Sequence, residues 1–287
     1  DCDGDGKDED LTTLAGRLKV IDYTMDMYLK TFKEKNYENL EFAGFYWFHE
    51  AADYERDGET IKGASDLAHA KGQQLCWIPY FSAQSYNLWS HMGFDCAVMQ
   101  PNYVFKETVP YSQLVSAAQL IKNNGMGIEI EISARALGSA VYTERYLAYL
   151  GYGIEAGYMA GCIHMYYQEA NVFYQACKSA SASDRIIYDA TYRFIHGTLS
   201  GPETPEDKLF ETASNKALTG KVVEDGIAEL DVYELVASAR NGSVSLAPNG
   251  SFVYVPNDGF TGEDTFSFRY SNAIAWSDEI RVTVRVS

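Results

Sequence analysis

Apolar residues fall along this chain in two different rhythms, and the change comes near residue 200. Upstream, short runs that are apolar at successive positions alternate with stretches that repeat at i, i+3, i+4 and i+7. The runs are AGFYWFHE (43–50), LCWIPYF (75–81), DCAVMQPNY (95–103), GIEIEI (127–132) and GCIHMYYQ (161–168). Strands apolar on both faces belong to a parallel sheet covered by helices. Between them, Leu114, Ala117, Ala118 and Ile121 share one helical face, with Gly125 as a stop. Leu147, Leu150, Gly151 and Ile154 repeat the spacing, and residues 14–35 make a longer amphipathic helix ahead of the first strand. Repeated β-then-α units predict a parallel α/β architecture.

Downstream the period changes to two. NGSVSLAPNGSFVYVPNDGF and DTFSFRYSN alternate apolar and polar positions between Asn-Gly and Asp-Gly turns, and EIRVTVRVS sets Ile280, Val282, Val284 and Val286 on one face. This predicts a small β-sandwich over 209–287. SGPETPEDK (200–208) concentrates Pro, Gly and charge between the two patterns, so an α/β domain is expected over 1–200 and a linker over 201–208. Five strands are too few for an eight-stranded barrel, which takes about 250 residues. Either the sheet is open or the first barrel strands are absent from this chain. The loop-like opening DCDGDG favours the second.

Two of the runs carry carboxylates where a parallel barrel opens its active site, at the C-terminal ends of strands. Glu50 closes FYWFHE, while Glu129 and Glu131 lie two apart in GIEIEI and so share a face. A pair of facing carboxyl groups, one protonated and one ionised, is what hydrolysis of a glycosidic bond requires. Glu131 is the candidate nucleophile and Glu50 the candidate acid/base of a retaining reaction. Glu129 sits one layer deeper, able to tune its neighbour or touch substrate. The competing expectation is that one or more of the three holds a buried Arg or Lys, and for Glu129 this is the preferred one. Trp77, Tyr80, Gln100, Asn102, Tyr103, Tyr167 and Gln168 gather at strand ends. Amide and phenol groups there suit sugar hydroxyls, and an indole offers a stacking face, although core packing accounts for Trp77 nearly as well. His49 and His164 read as structural histidines.

Composition narrows the partners. With 23 basic against 40 acidic residues the net charge is −17, a field that repels nucleic acid and anionic membranes. No apolar run is long enough to span a bilayer. The 40 aromatics are mostly core, with an exposed remainder suited to carbohydrate. Cys2, Cys76, Cys96, Cys162 and Cys177 show no metal spacing and read as mostly free, buried thiols. DCDGDGKDED starts like a calcium loop, with Asp1, Asp3, Asp5 and Gly6 in D-x-D-x-D-G, but Thr12 stands where the motif wants a bidentate Glu. Ca²⁺ could still be held there; a solvated acidic loop is the simpler reading. No cofactor is required by any motif.

GFYWFHE, WIPYF, GFD, MQPNYVF, GMGIEIE and MYYQ, in this order and spacing, resemble a bacterial family described as domain of unknown function 4855. The resemblance covers nearly all of the first two hundred residues. It implies a glycosidase-like TIM barrel in secreted or cell-surface bacterial proteins, with further strands upstream. AGFYWFHE would then be the fourth strand and GIEIEI the seventh, the strands on which large groups of retaining glycosidases keep their two carboxylates. NGSVSLAPNGSFVYVPNDGFTGEDTFSFRYS and RVTVRV resemble a cadherin-like or bacterial Ig-like module, which implies spacing or adhesion. The expectation is a glycoside hydrolase acting on a polysaccharide or glycan; the alternative is a non-catalytic carbohydrate-binding or adhesion protein on the same scaffold.

Overall fold

Each apolar run forms a strand, and all but GIEIEI form a shorter one than the run itself. The computed structural model describes residues 1–287 except 3, 5, 202–205, 223–231, 248 and 273. Helix α1 (Leu14–Lys35) leads into β1 (Gly44–Trp47), α2 (Tyr54–Ala70), β2 (Gln74–Trp77), β3 (Cys96–Met99), α3 (Tyr111–Asn124) and β4 (Gly127–Ile132). Then come α4 (Ala140–Ala156), the single turn α5 (Tyr158–Gly161), β5 (His164–Gln168), α6 (Val172–Lys178) and α7 (Ala182–Ile195). The five strands form one sheet in chain order, β1-β2-β3-β4-β5, a parallel half-barrel. The predicted α/β class is therefore present as five strands rather than a closed barrel. Two prolines explain where the middle strands stop. Pro79 and Pro101 stand two residues past the ends of β2 and β3 and supply no N–H to the ladder, which continues past the strands as the bridge Tyr80↔Gln100.

The helices end as their sequences direct. Gly125 takes a left-handed φ of 62° after α3, whose Leu114, Ala117, Ala118 and Ile121 are all buried. Asp53 caps α2 by accepting from the Glu55 and Arg56 amides. α1 departs from expectation: of its amphipathic face only Met25 is buried, and Tyr23, Met27 and Tyr28 are exposed. Its attachments include Leu18 against Gly63, Arg17 Nε donating to the Thr60 hydroxyl at 3.0 Å, and a Lys71 ammonium between Asp22 and Asp26, at 2.7 and 2.6 Å.

By Cα proximity the chain divides into two compact units, residues 1–131 with 162–167 and residues 132–161 with 168–287. The first holds the parallel sheet as far as Glu131 and Tyr167. The second holds α4 to α7 and a β-rich C-terminal region made of β6 (Lys208–Thr212), β7 (Leu218–Lys221), β8 (Val232–Ala237), β9 (Gly242–Leu246), β10 (Ser251–Pro256), β11 (Gly262–Ser271) and β12 (Ile280–Val286). These strands form a four-stranded sheet, β6-β12-β11-β8, and a three-stranded sheet, β7-β10-β9. Ring contacts of Phe252 with Phe210 and Phe266, at 5.1 and 5.2 Å, join the two across a shared core. Ile280, Val282, Val284 and Val286 are buried as their alternation requires. β12 lies parallel to β6 and antiparallel to β11. At one end of the core, buried Asp264 accepts from the Arg240 and Asn241 amides and from the Tyr254 hydroxyl, at 3.1, 2.8 and 3.0 Å. Within the second unit, Ile274 of the β11–β12 connection lies against Gly151 of α4, so closely that a Cβ on that glycine would stand 1.8 Å from the Ile274 carbonyl. Of the linker expected at 201–208, residues 202–205 lie outside those described.

Candidate active site

The register of the sheet decides which side chains meet. Tyr46 pairs with Cys76, Cys76 with Cys96, and Val98 with Gly127. Side chains at paired positions leave the same face, and every second residue joins them. Tyr46, Cys76, Cys96, Val98, Glu129 and Glu131 therefore share one face. The other carries Leu75, Trp77, Ala97, Met99 and the three isoleucines of β4, all buried. GIEIEI thus reads as an apolar face of isoleucines and an acidic face of glutamates.

On that acidic face Glu129 is 8% exposed. Burial, and then the nearby charge of Glu50, push its carboxyl up from the ordinary 4.5 to about 7. The expectation that Glu129 anchors an Arg or Lys is not met: no basic side chain pairs with it among the described residues. Tyr46 responds to the same charges. Its phenol is raised to about 12 by burial, then by Glu50, then by Glu129. Tyr46 thus lies within electrostatic reach of both carboxylates and keeps its O–H through the neutral range. Glu50 itself lies three residues past the end of β1, exposed, in the loop that leads to α2. The pair that the structure couples is Glu50 with Glu129.

Glu131 is 1% exposed, and the Asn102 amide donates to its Oε2 at 2.6 Å. Asn102 makes this bond from a left-handed backbone (φ 54°) directly after Pro101, a turn held by Gln113 Nε2 donating to the Pro101 carbonyl at 2.8 Å. Ser82, Ser85, Ala170 and Asn171 also take positive φ, in the connections that follow β2 and β5. Backbone strain of this kind gathers where loops are held to a task.

The remaining sequence-predicted residues divide. Trp77 is fully buried and stacked on Phe94 at 5.2 Å, so it offers no sugar platform. Its Nε1 donates to the His49 carbonyl at 2.9 Å, which pins the loop bearing Glu50. His49 also bonds through Nδ1 to the Ala51 carbonyl. Gln100 is buried with its amide on the Ile78 carbonyl, and Tyr103 is buried edge-on to Tyr111, so both are removed from direct contact with a ligand. Tyr80 and Tyr167 are exposed, Tyr167 with Phe105 beside it at 5.8 Å. In the second unit, Gln168 Oε1 accepts from the Phe173 amide at the start of α6. Tyr46 and Gln113 were not foreseen. Tyr46 had a weak signal, four positions before Glu50 and on its face.

Asp1 accepts from the Gly4 and Gly6 amides, at 2.7 and 2.9 Å, while Asp3 and Asp5 lie outside the described residues. Among the described residues no group of three or more His, Cys, Asp or Glu is placed to hold a metal, and no helix is long and apolar enough to cross a membrane. The five cysteines are free and half-buried rather than buried.

No curated protein matches the chain. Among solved structures it is similar to the cell-surface multi-modular chitinase ChiW of Paenibacillus sp. str. FPU-7, at 12% identity and TM-score 0.40, covering 96% of this chain and 34% of that one. It is also similar to an endo-fucoidan hydrolase of glycoside hydrolase family 107 (12%, TM-score 0.34, covering 95% and 45%). A third is annotated in its own name as a putative alpha-galactosidase from Bacteroides fragilis NCTC 9343 (15%, TM-score 0.23, covering 30% and 17%). The chain spans less than half the length of each. Residues 201–285 match a bacterial Ig domain and residues 5–193 match the family described as domain of unknown function 4855; the chain belongs to that family.

Proposed function

We propose that the chain is a glycosidase-like hydrolase of a polysaccharide or glycan, working outside the cell or at its surface, with Glu129 as proton donor and Glu50 as the second carboxyl group. The observation that carries this reading is the buried Glu129 carboxyl lifted to about 7 beside the exposed Glu50. Two carboxyl groups whose surroundings drive their protonation apart supply an acid and a base at one pH, and an acid works best when it titrates near the working pH. Tyr46, protonated and within electrostatic reach of both, would donate to a carboxylate or a ring hydroxyl. Glu131, the nucleophile expected from sequence, is better placed to orient than to attack, because it is nearly inaccessible and tied to Asn102.

Glycan hydrolysis by the wild type, Glu129→Gln, Glu131→Gln and Glu50→Gln tests the assignment. Losing the general acid should cost kcat about 10²-fold or more with the fold retained. Wild-type activity should fall as pH rises through about 7. Glu50→Gln removes one of the two causes of that shift, so the alkaline limb of any residual activity should move to lower pH. Full activity in Glu129→Gln with loss in Glu131→Gln would restore the sequence assignment. Glycan binding with no turnover by any form favours the binding-module alternative, for which the deep burial of Glu131 speaks.

A further inference from the structure

Cys76 and Cys96 occupy one rung of the parallel sheet. They are Cα partners in the β2–β3 register, so their side chains leave the same face side by side. Neighbouring strands stand about 4.8 Å apart, inside the window of about 4.4–6.8 Å that a disulfide spans between Cα atoms. Cys76 Sγ donates to the Phe45 carbonyl at 3.3 Å. Both thiols are free and half-buried, open to a small reagent. Of the other three, Cys162 and Cys177 lie just before β5 and within α6, and Cys2 near the N-terminus, none of them on this rung.

We propose that Cys76 and Cys96 are a redox-active dithiol that closes to an intramolecular disulfide when a small disulfide oxidant, of the oxidised glutathione type, reaches the sheet. Cys96 as thiolate attacks one sulfur of the oxidant, expels the first glutathione thiolate and leaves a mixed disulfide. Cys76 then loses its proton and attacks the Cys96 sulfur, expelling the second. Two protein thiols are oxidised, the oxidant's disulfide is reduced to two thiols, and the protein protons pass to solvent. The asymmetry follows from the interaction between the two thiols, which holds Cys96 below the ordinary thiol range and pushes Cys76 up, helped by burial. Tyr46 stands next on the same rung, so the redox state would be felt beside the carboxylates.

The full chain, folded and reduced, is incubated with oxidised glutathione, alkylated and mapped by mass spectrometry; this readout is independent of any glycan turnover. The peptides carrying Cys76 and Cys96 should appear joined, and dithiothreitol should release them. Cys76→Ser should stall as a glutathione adduct on Cys96, whereas Cys96→Ser should react at Cys76 at least about tenfold more slowly. Wild-type chain in which both thiols stay fully alkylatable, or in which glutathione remains on Cys96 unresolved, would overturn the proposal. The wild-type result alone decides it if either variant misfolds.

Discussion

At the scale of single residues, Glu129 carries the largest consequence. Its folded carboxyl keeps a proton up to about 7 while the unfolded chain releases it near 4.5, so the folded state binds more protons across that window. Its contribution is complete below about 4.5 and is lost as pH rises through about 7. A carboxyl lifted that far corresponds to at most about 3 kcal/mol. Glu129→Gln should therefore gain stability over the wild type at about pH 8 and show little difference at about pH 5, read from denaturant midpoints. An equal difference at both would mean that the side chain is ionised in the fold. The glutamates stood out in the sequence because charge inside an apolar run is costly and needs a reason. Tyr46 did not, since an aromatic in a strand reads as core until the register sets it beside Glu50 and Glu129. Trp77 failed in the opposite sense: whether an indole stacks on sugar or on Phe94 depends on a residue seventeen positions away, which no local pattern contains.

At the scale of elements, periodicity found every strand of the sheet and the helices α3 and α4, because burial on a defined face repeats locally. It overran the strand ends, where Pro79 and Pro101 break the ladder while apolar residues continue. It also placed Glu50 at a strand end that lies three residues earlier. Gly151 was legible only as a member of an apolar face. In a helix interior Gly→Ala normally gains about 1 kcal/mol. Here the added methyl meets the Ile274 carbonyl at 1.8 Å, and overpacking costs about 1–3 kcal/mol. Sterics should win. Gly151→Ala is expected to lower the unfolding midpoint, and a raised midpoint would mean that Ile274 does not sit against α4.

At the scale of the molecule, the excess of 17 negative charges sets a preference among substrates of the proposed hydrolase. An anionic polysaccharide must approach against that field, so its affinity should rise with ionic strength, while a neutral glycan's stays flat. Titration calorimetry at low and high salt distinguishes the two; an anionic glycan bound best at low salt would point to a local basic site that outweighs the net charge. The C-terminal β-rich region has a different kind of consequence. Its first and last strands, β6 and β12, run side by side in parallel, from Val282 opposite Lys208 to Val286 opposite Thr212. A pull applied between the start of β6 and the end of β12 slides one strand along the other and loads these rungs together, instead of opening them one at a time. Tension drawn through the module would meet a shear clamp, the geometry of a tether that bears force without letting go.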